Sequence, residues 1–252
     1  MSNFDPNSYP GNGGWGVRRA QQPLGYSTDV STPVVARFFN SVYAWMAAGL
    51  ALTAVVSMVV ASHIDDVAPL LHGPGFIVLI IAQLALVWTV SAAIYKLSAA
   101  AATGLFMLYA ALNGVMLSSI FLVYTQASIA GAFVTTAGMF GAMSLYGMLT
   151  QTDLSRLGKI LFMALIGLII GTVVNMFFAS SGLYWLCTYA GVIIFAGLTA
   201  YDTQRLKQIA YSTADNPAMA SRLSVNGALL LYLDFLNMFL FLLRLFGNNS
   251  RR

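Results

Sequence analysis

Seven long apolar stretches dominate the chain. Each is at least about 20 residues long, which is enough to cross the hydrocarbon core of a bilayer as a helix. Short connections that carry Pro, Gly or charged residues separate them. The predicted spans cover residues 39–62, 75–95, 98–124, 127–149, 159–180, 183–203 and 226–246. We therefore expect an all-α membrane protein with one seven-helix transmembrane domain at residues 37–248.

The composition supports a membrane protein and excludes other classes. Of the 252 residues, 59% are hydrophobic and only 8% are charged, whereas an ordinary soluble domain carries about 25% charged residues. The basic residues are scattered, so no basic stripe is available for a nucleic-acid backbone. The single cysteine, Cys187, allows neither a disulfide within the chain nor a cluster of thiolate metal ligands.

Residues 1–36 differ from the rest of the chain. They are rich in Gly, Asn, Pro and Tyr and have no apolar periodicity, which predicts a disordered tail. They also lack the continuous apolar region of a secretory signal.

The distribution of basic residues predicts the orientation, because cytoplasmic segments are enriched in Lys and Arg. With the N-terminus in the cytoplasm, nine of the 12 basic residues lie inside, the three outer loops hold none, and the C-terminal end holds three. The nine are Arg18, Arg19, Arg37, Lys96, Arg156, Lys159, Arg205, Lys207 and Arg222. The three are Arg244, Arg251 and Arg252. We expect a cytoplasmic N-terminus and a periplasmic C-terminus.

Two aspartates in the predicted membrane region are the main functional candidates. Asp202 lies near the inner end of span 6, and Asp234 lies in span 7, about 12 Å from its inner end. Because the two spans are antiparallel neighbours, both aspartates fall in the inner half of the membrane and can meet. Two carboxylates in contact do not ionise independently, so they would titrate as a pair.

Structural roles remain open for the same residues. Asp202 could pair only with Arg205, one turn away, and Asp234 could be a neutral acid bonded to Asn237 or to a backbone carbonyl. Lys96, at the inner end of span 2, is either a topology anchor whose ammonium reaches the interface or a counter-charge that latches the aspartates.

Several motifs resemble the Bax inhibitor-1 family, also called transmembrane Bax inhibitor motif proteins, and in particular its bacterial inner-membrane members. The strongest are Leu231-Tyr-Leu-Asp-Phe-Leu-Asn237 with Leu242-Leu-Arg244 in span 7, and Gly197-Leu-Thr-Ala-Tyr-Asp-Thr-Gln-Arg205 in span 6. A third is Ala137-Gly-Met-Phe-Gly-Ala-Met-Ser144 in span 4. The resemblance covers about residues 30–248.

The resemblance implies a central last helix wrapped by the other six, and a pH-sensitive calcium leak. Its paired-aspartate pH sensor falls on Asp202 and Asp234, which would also form a weak, transient calcium site. Some bacterial members have an arginine latch where this chain has Lys96, and an ammonium lacks the bidentate geometry of a guanidinium. Arg205 and Asn237 are the expected supporting residues.

Besides a proton-coupled carrier of a small solute, two other functions compete with a leak of calcium or protons. The first is a non-conducting regulator that binds other membrane proteins, such as a membrane protease complex. The second is an intramembrane enzyme, which the residues disfavour. An aspartyl protease needs Gly-x-Gly-Asp where this chain has Leu231-Tyr-Leu-Asp234, and no span holds a histidine to act as a base for Ser144. No resident cofactor is expected.

Overall fold

The computed structural model describes residues 28–63, 67, 73–93 and 96–247. It contains seven helices or helix pairs that are long and apolar enough to cross a membrane, and the described residues form no strand. The helices of spans 1 to 7 are Thr28–Ser62, Pro74–Ala93, Ala99–Leu117 with Ile120–Val123, Gln126–Leu149, Ser155–Phe178, Ser181–Ser212 and Pro217–Phe246. The predicted all-α membrane fold with seven spans is confirmed.

The helix of span 1 begins well before its apolar run. It starts at Thr28, so residues 28–36 are helical although the sequence analysis placed them in a disordered tail. Extending a helix that already exists is far less costly than nucleating one, and the buried pair Phe38 and Phe39 fixes the first turns of the membrane part. Residues 1–27 of the tail lie outside the described residues.

Spans 6 and 7 also extend beyond the predicted limits. The polar stretch between them was expected to be the longest connection, but helix covers all of it except residues 213–216. Leu206, Ala210, Leu223 and Val225 are buried in this stretch, so packing holds it helical. Asn216 caps the start of the helix of span 7, and its side chain accepts a hydrogen bond from the Met219 N–H at 3.0 Å.

Span 7 packs against four of the other spans. Its extensive contacts are with spans 1, 3, 4 and 6, whereas span 2 packs mainly against span 3 and span 5 mainly against span 6. A last helix wrapped by all six others is therefore not confirmed. Spans 6 and 7 are the most buried of the seven, and span 5 is the least buried.

A hydroxyl network holds spans 1, 3 and 7 together. The Tyr232 hydroxyl lies 2.7 Å from Thr53 Oγ1, which in turn lies 2.9 Å from the carbonyl oxygens of Gly49 and Ala110. The ring of Tyr232 makes edge contacts with Phe106 and Tyr109 of span 3. Every polar group in hydrocarbon needs a partner, so this network fixes span 7 at one height relative to its neighbours.

Candidate functional site

A cavity of about 1540 Å³ lies among spans 2, 5, 6 and 7. One face of span 7 lines it over several turns, because its lining residues recur every three or four positions. These residues are Leu230, Leu233, Asp234, Asn237, Phe241 and Arg244. Span 6 contributes Phe195, Leu198, Tyr201, Asp202 and Arg205. The cavity thus brings both candidate aspartates to one wall.

Asp202 and Asp234 interact with each other across the contact between spans 6 and 7. Their carboxyl groups are coupled by charge and by a side-chain hydrogen bond. Both residues are buried, at 9% and 5% exposure. An ionised carboxylate only accepts hydrogen bonds, so a bond between these two groups requires that one of them carry a proton. Asp234 Oδ2 is buried and has no hydrogen-bond partner among the described residues.

Arg205 is the cation that acts on the Asp202 member of this pair. It lies one turn beyond Asp202 on the same helix, it is exposed at the cavity, and its charge interacts with the Asp202 carboxyl group. The interaction considered for Asp202 from sequence is therefore present, together with the contact to Asp234. Asp202 therefore interacts with a nearby cation, whereas the charged group that acts on Asp234 is the carboxyl group of Asp202.

The two other residues expected to support the pair have different surroundings. Asn237 lines the same cavity as Asp234, but its Nδ2 donates to the Leu233 carbonyl oxygen at 2.8 Å, within its own helix. Lys96 lies in an exposed turn between spans 2 and 3. It is not among the charged groups that act on Asp202 or Asp234.

A set of hydrogen bonds that was not predicted from the sequence connects span 6 to the loop before span 5. Gln204 Oε1 accepts from the Leu154 N–H at 2.8 Å, and its Nε2 donates to the Thr152 carbonyl oxygen at 2.8 Å. Lys207 Nζ donates to the Met148 carbonyl oxygen at 2.7 Å, at the end of span 4. The loop is thus fixed to the part of span 6 that follows Asp202. Polar side chains at residues 204 and 207, near the end of an apolar helix, were the sequence feature that could have indicated these bonds.

Asp153 in that loop has an altered ionisation. Its pKa is held below its ordinary value, chiefly by a hydrogen bond from the Ser155 side chain and also by the Ser155 N–H, which lies 2.9 Å from Oδ1. The charge of Lys159 acts in the same direction. This carboxylate is fully exposed, and it accepts a hydrogen bond from the first N–H group of the helix of span 5, which has no partner within the helix.

A chain of hydroxyl groups ends at the residue that follows Asp202. The Tyr43 hydroxyl is 2.6 Å from Ser144 Oγ, which is 3.0 Å from Thr203 Oγ1, the residue after Asp202. Spans 1, 4 and 6 are joined in this way. Both side-chain partners of Ser144 among the described residues are hydroxyls, and neither is a base that would make it a nucleophile.

A single arginine marks the far end of the cavity. Arg244 is about 15 Å from Asp234 along the helix at 1.5 Å per residue. Its guanidinium lies 5.4 Å from the centre of the Phe241 ring, and its charge reaches the Tyr124 phenol. Within the described residues, no group of three or more His, Cys, Asp or Glu side chains could hold a metal. An ion at the pair would have these two carboxylates as its only acidic side-chain ligands there.

Comparison with known proteins gives a consistent result. A family model described as inhibitor of apoptosis-promoting Bax1 matches residues 35–251, which include spans 2 to 7 and all of span 1 except its first turns. Inner membrane protein YbhL of Escherichia coli K12 is 55% identical over 214 residues, which are 84% of this chain and 91% of that protein. A Borreliella burgdorferi protein is 44% identical over 84% of this chain and 91% of its own. A Deinococcus radiodurans protein is 42% identical over 92% and 99%, respectively.

Proposed function

The chain belongs to the Bax inhibitor-1 family of membrane proteins, and on that premise we propose that it is a pH-sensitive cation leak of the inner membrane. Calcium is the preferred ion, and the Asp202–Asp234 pair is the gate. The observation that carries this proposal is the position of two carboxyl groups, joined by a side-chain hydrogen bond, on the wall of a large intramembrane cavity.

The chemistry of the pair suits a transient cation site. Calcium prefers hard oxygen ligands and usually takes six to eight of them. Two carboxylates with water and nearby carbonyl groups would bind it weakly, and weak binding favours conduction because an ion must leave as well as enter. The unpartnered Oδ2 of Asp234 supports this role, since it has a free coordination position.

The proton shared by the pair provides the gate. When it is present, the carboxyl groups bond to each other and seat span 7 against span 6. When it is lost, two like charges face each other in a medium of low dielectric constant. Moving span 7 or admitting a cation relieves their repulsion. A bias of a few kcal/mol shifts such a two-state equilibrium many-fold, so cation flux rises with pH.

Calcium flux into proteoliposomes between pH 5 and 8 tests this proposal. We expect the wild type to conduct with a pH-dependent rate, and Asp202→Asn and Asp234→Asn to flatten the profile. Asp153→Asn is the matched control, because it makes the same chemical change outside the membrane and should retain the wild-type profile. Flux that keeps its pH dependence in both pair variants would contradict gating by the pair.

A non-conducting regulator that binds other membrane proteins, such as a protease complex, is the second candidate. Gly131, Gly138 and Gly141 of span 4 face open space, and small residues allow a partner helix to approach closely. A folded protein without flux at any pH would favour this role. Capture of a defined partner that is lost in Gly138→Leu would support it, whereas a partner retained in that variant would count against this face.

A further inference from the structure

The cavity opens sideways between spans 2 and 5. These spans do not pack extensively against each other, since span 2 packs on span 3 and span 5 on span 6. Side chains that line the cavity from both remain largely exposed: Leu84 and Trp88 at 66% and 76%, and Phe162 and Ile169 at 60% and 56%. Because both spans lie at the level of the bilayer, this opening faces lipid.

The chemistry of the walls defines what can fill the cavity. Between the basic side chains at its two ends, and apart from the carboxyl pair and a few hydroxyl and amide groups, the lining is aliphatic and aromatic, with Val87, Leu165 and Leu168 among the contributors. Water finds few hydrogen-bond partners on such walls. A hydrocarbon chain from the bilayer, in contrast, enters the cavity without leaving an apolar environment. The volume of about 1540 Å³ exceeds the roughly 300–1,000 Å³ of ordinary small-molecule pockets. An acyl chain fits these walls.

Two basic side chains lie at one end of the same cavity. Lys159 of span 5 and Arg205 of span 6 both line it, and both are exposed. The contact of Gly158 with Tyr201 and the bond from Leu154 to Gln204 set the register of the two helices. That register places Lys159 and Arg205 at the same end, next to the loop at residues 150–154.

The neighbouring carboxylates do not use all the hydrogen-bond donors of these two basic side chains, so both can also bind an anion. Lys159 acts on the exposed Asp153, and Arg205 acts on Asp202. An ammonium has three donors and a guanidinium has five, so neither is saturated by one carboxylate. A phosphodiester that bridges them would take charge-assisted hydrogen bonds from both. This complementarity favours an anionic headgroup over a zwitterionic one, whose own cation would be repelled.

We propose that the cavity is a binding site for one anionic phospholipid, with its phosphate held by Lys159 and Arg205 and an acyl chain between spans 2 and 5. The chain reaches along the wall toward Asp234 and covers the carboxyl pair on its lipid side. This site goes beyond the proposed leak and stands independently of it, because lipid binding needs no ion flux. In a protein that conducts, the lipid controls access to the gate. Arg205 then interacts both with the lipid phosphate and with the Asp202 carboxyl group.

Tryptophan quenching in detergent tests the site directly. Trp88 lines the cavity, whereas Trp185 is exposed on span 6 outside it. Two full-length proteins would each retain one of these tryptophans, with the other three changed to phenylalanine. Phosphatidylglycerol and phosphatidylcholine that carry brominated acyl chains would be titrated into each. We expect anionic lipid to quench Trp88 saturably near one lipid per protein and to quench Trp185 only in proportion to its bulk concentration.

Charge variants in the Trp88 protein test the headgroup contact. Lys159→Gln, and the double variant with Arg205→Gln, should weaken binding of brominated phosphatidylglycerol several-fold, to the level of phosphatidylcholine. Arg156→Gln is the matched control, because Arg156 is exposed on the same turn but does not line the cavity. Size-exclusion profiles verify folding. Equal quenching of both tryptophans, unchanged binding in the double variant, or displacement of the lipid by millimolar inorganic phosphate would each overturn the proposal.

Discussion

The ring of Tyr201 occupies the space that a side chain at residue 158 would need. A Cβ atom placed on Gly158 would lie 2.5 Å from two carbon atoms of that ring, closer than such contacts allow. Tyr201 directly precedes Asp202, so the start of span 5 packs against the turn of span 6 that carries the carboxyl pair. Contact this close requires glycine at residue 158.

Gly158→Ala should therefore destabilise the protein. Its added methyl group forces Tyr201 or the start of span 5 to move, at a cost of about 1–3 kcal/mol. Thermal unfolding in detergent measures the effect. Gly167→Ala on the same helix is the control, because a Cβ there would meet nothing within 4 Å. Equal losses in the two variants would contradict the packing argument.

Gln204→Ala should release the loop at residues 150–154. The substitution removes the side-chain acceptor of the Leu154 N–H and the side-chain donor to the Thr152 carbonyl oxygen. Each buried backbone group left without a partner costs about 1–3 kcal/mol. Hydrogen exchange at residues 152–156 should become faster. Gln208→Ala, an exposed position one turn further along the helix, is the control. Unchanged protection in Gln204→Ala would show that the loop is held by other contacts.

Tyr232→Phe should weaken the contact between spans 1 and 7. It deletes the hydroxyl bonded to Thr53 but keeps the ring against Phe106 and Tyr109. Loss of one buried hydrogen bond costs about 0.5–1.5 kcal/mol. Unfolding midpoints of Tyr232→Phe, Thr53→Val and the double variant give the coupling energy. Tyr189→Phe, at a largely exposed site, is the control and should have no effect on the unfolding midpoint. Additive losses in the Tyr232→Phe, Thr53→Val double variant would argue against the bond.

Asp153 should make stability depend on pH. Its pKa is below the ordinary value in the folded protein, so its stabilising contribution is present at neutral pH and is lost as pH falls through the folded pKa. The difference in unfolding temperature between wild type and Asp153→Asn should therefore be largest at neutral pH and vanish in acid. Ser155→Ala removes the main cause and should shrink the difference. A gap that widens toward low pH would contradict this assignment.

The orientation can be tested with single cysteines. In a Cys187→Ser background, Gln151→Cys lies in the loop between spans 4 and 5, and Ser181→Cys begins span 6; both positions are exposed. With a cytoplasmic N-terminus, a membrane-impermeant maleimide should label only Ser181→Cys in intact cells. Gln151→Cys should be labelled after lysis. The reverse pattern would overturn the orientation inferred from the basic residues.

The sequence was most informative where a residue type conflicts with its surroundings. Seven apolar runs have few alternatives to membrane helices, and Asp234 stands out because its neighbours in span 7 are apolar. The contact between Asp202 and Asp234 followed from their heights in adjacent antiparallel helices. The helical stretch between residues 204 and 225 was not predictable, because its composition is polar and tertiary packing of Leu206 and Leu223 keeps it helical.

The cavity could not be predicted for a different reason. It depends on which helices fail to pack, and apolar runs do not specify their neighbours. Lys159 was read only as a topology signal, although it shares the cavity with Arg205. Lys96 was considered either as a topology anchor or as a counter-charge for the aspartates, because it ends span 2 at the same height. Height along the membrane normal does not define position around the bundle, and the cation next to Asp202 is Arg205.

The bond between Thr53 and Tyr232 also bears on biogenesis. Its partners are separated by 179 positions in the chain, so spans 1 and 3 leave the ribosome long before span 7 exists. During that interval the carbonyl oxygens of Gly49 and Ala110 can satisfy the Thr53 hydroxyl, which spares the early intermediate an orphaned polar group in lipid. Because span 7 packs against spans 1, 3, 4 and 6, we expect its docking to close the bundle, and a chain truncated before residue 217 to leave the contact surfaces of those four spans uncovered.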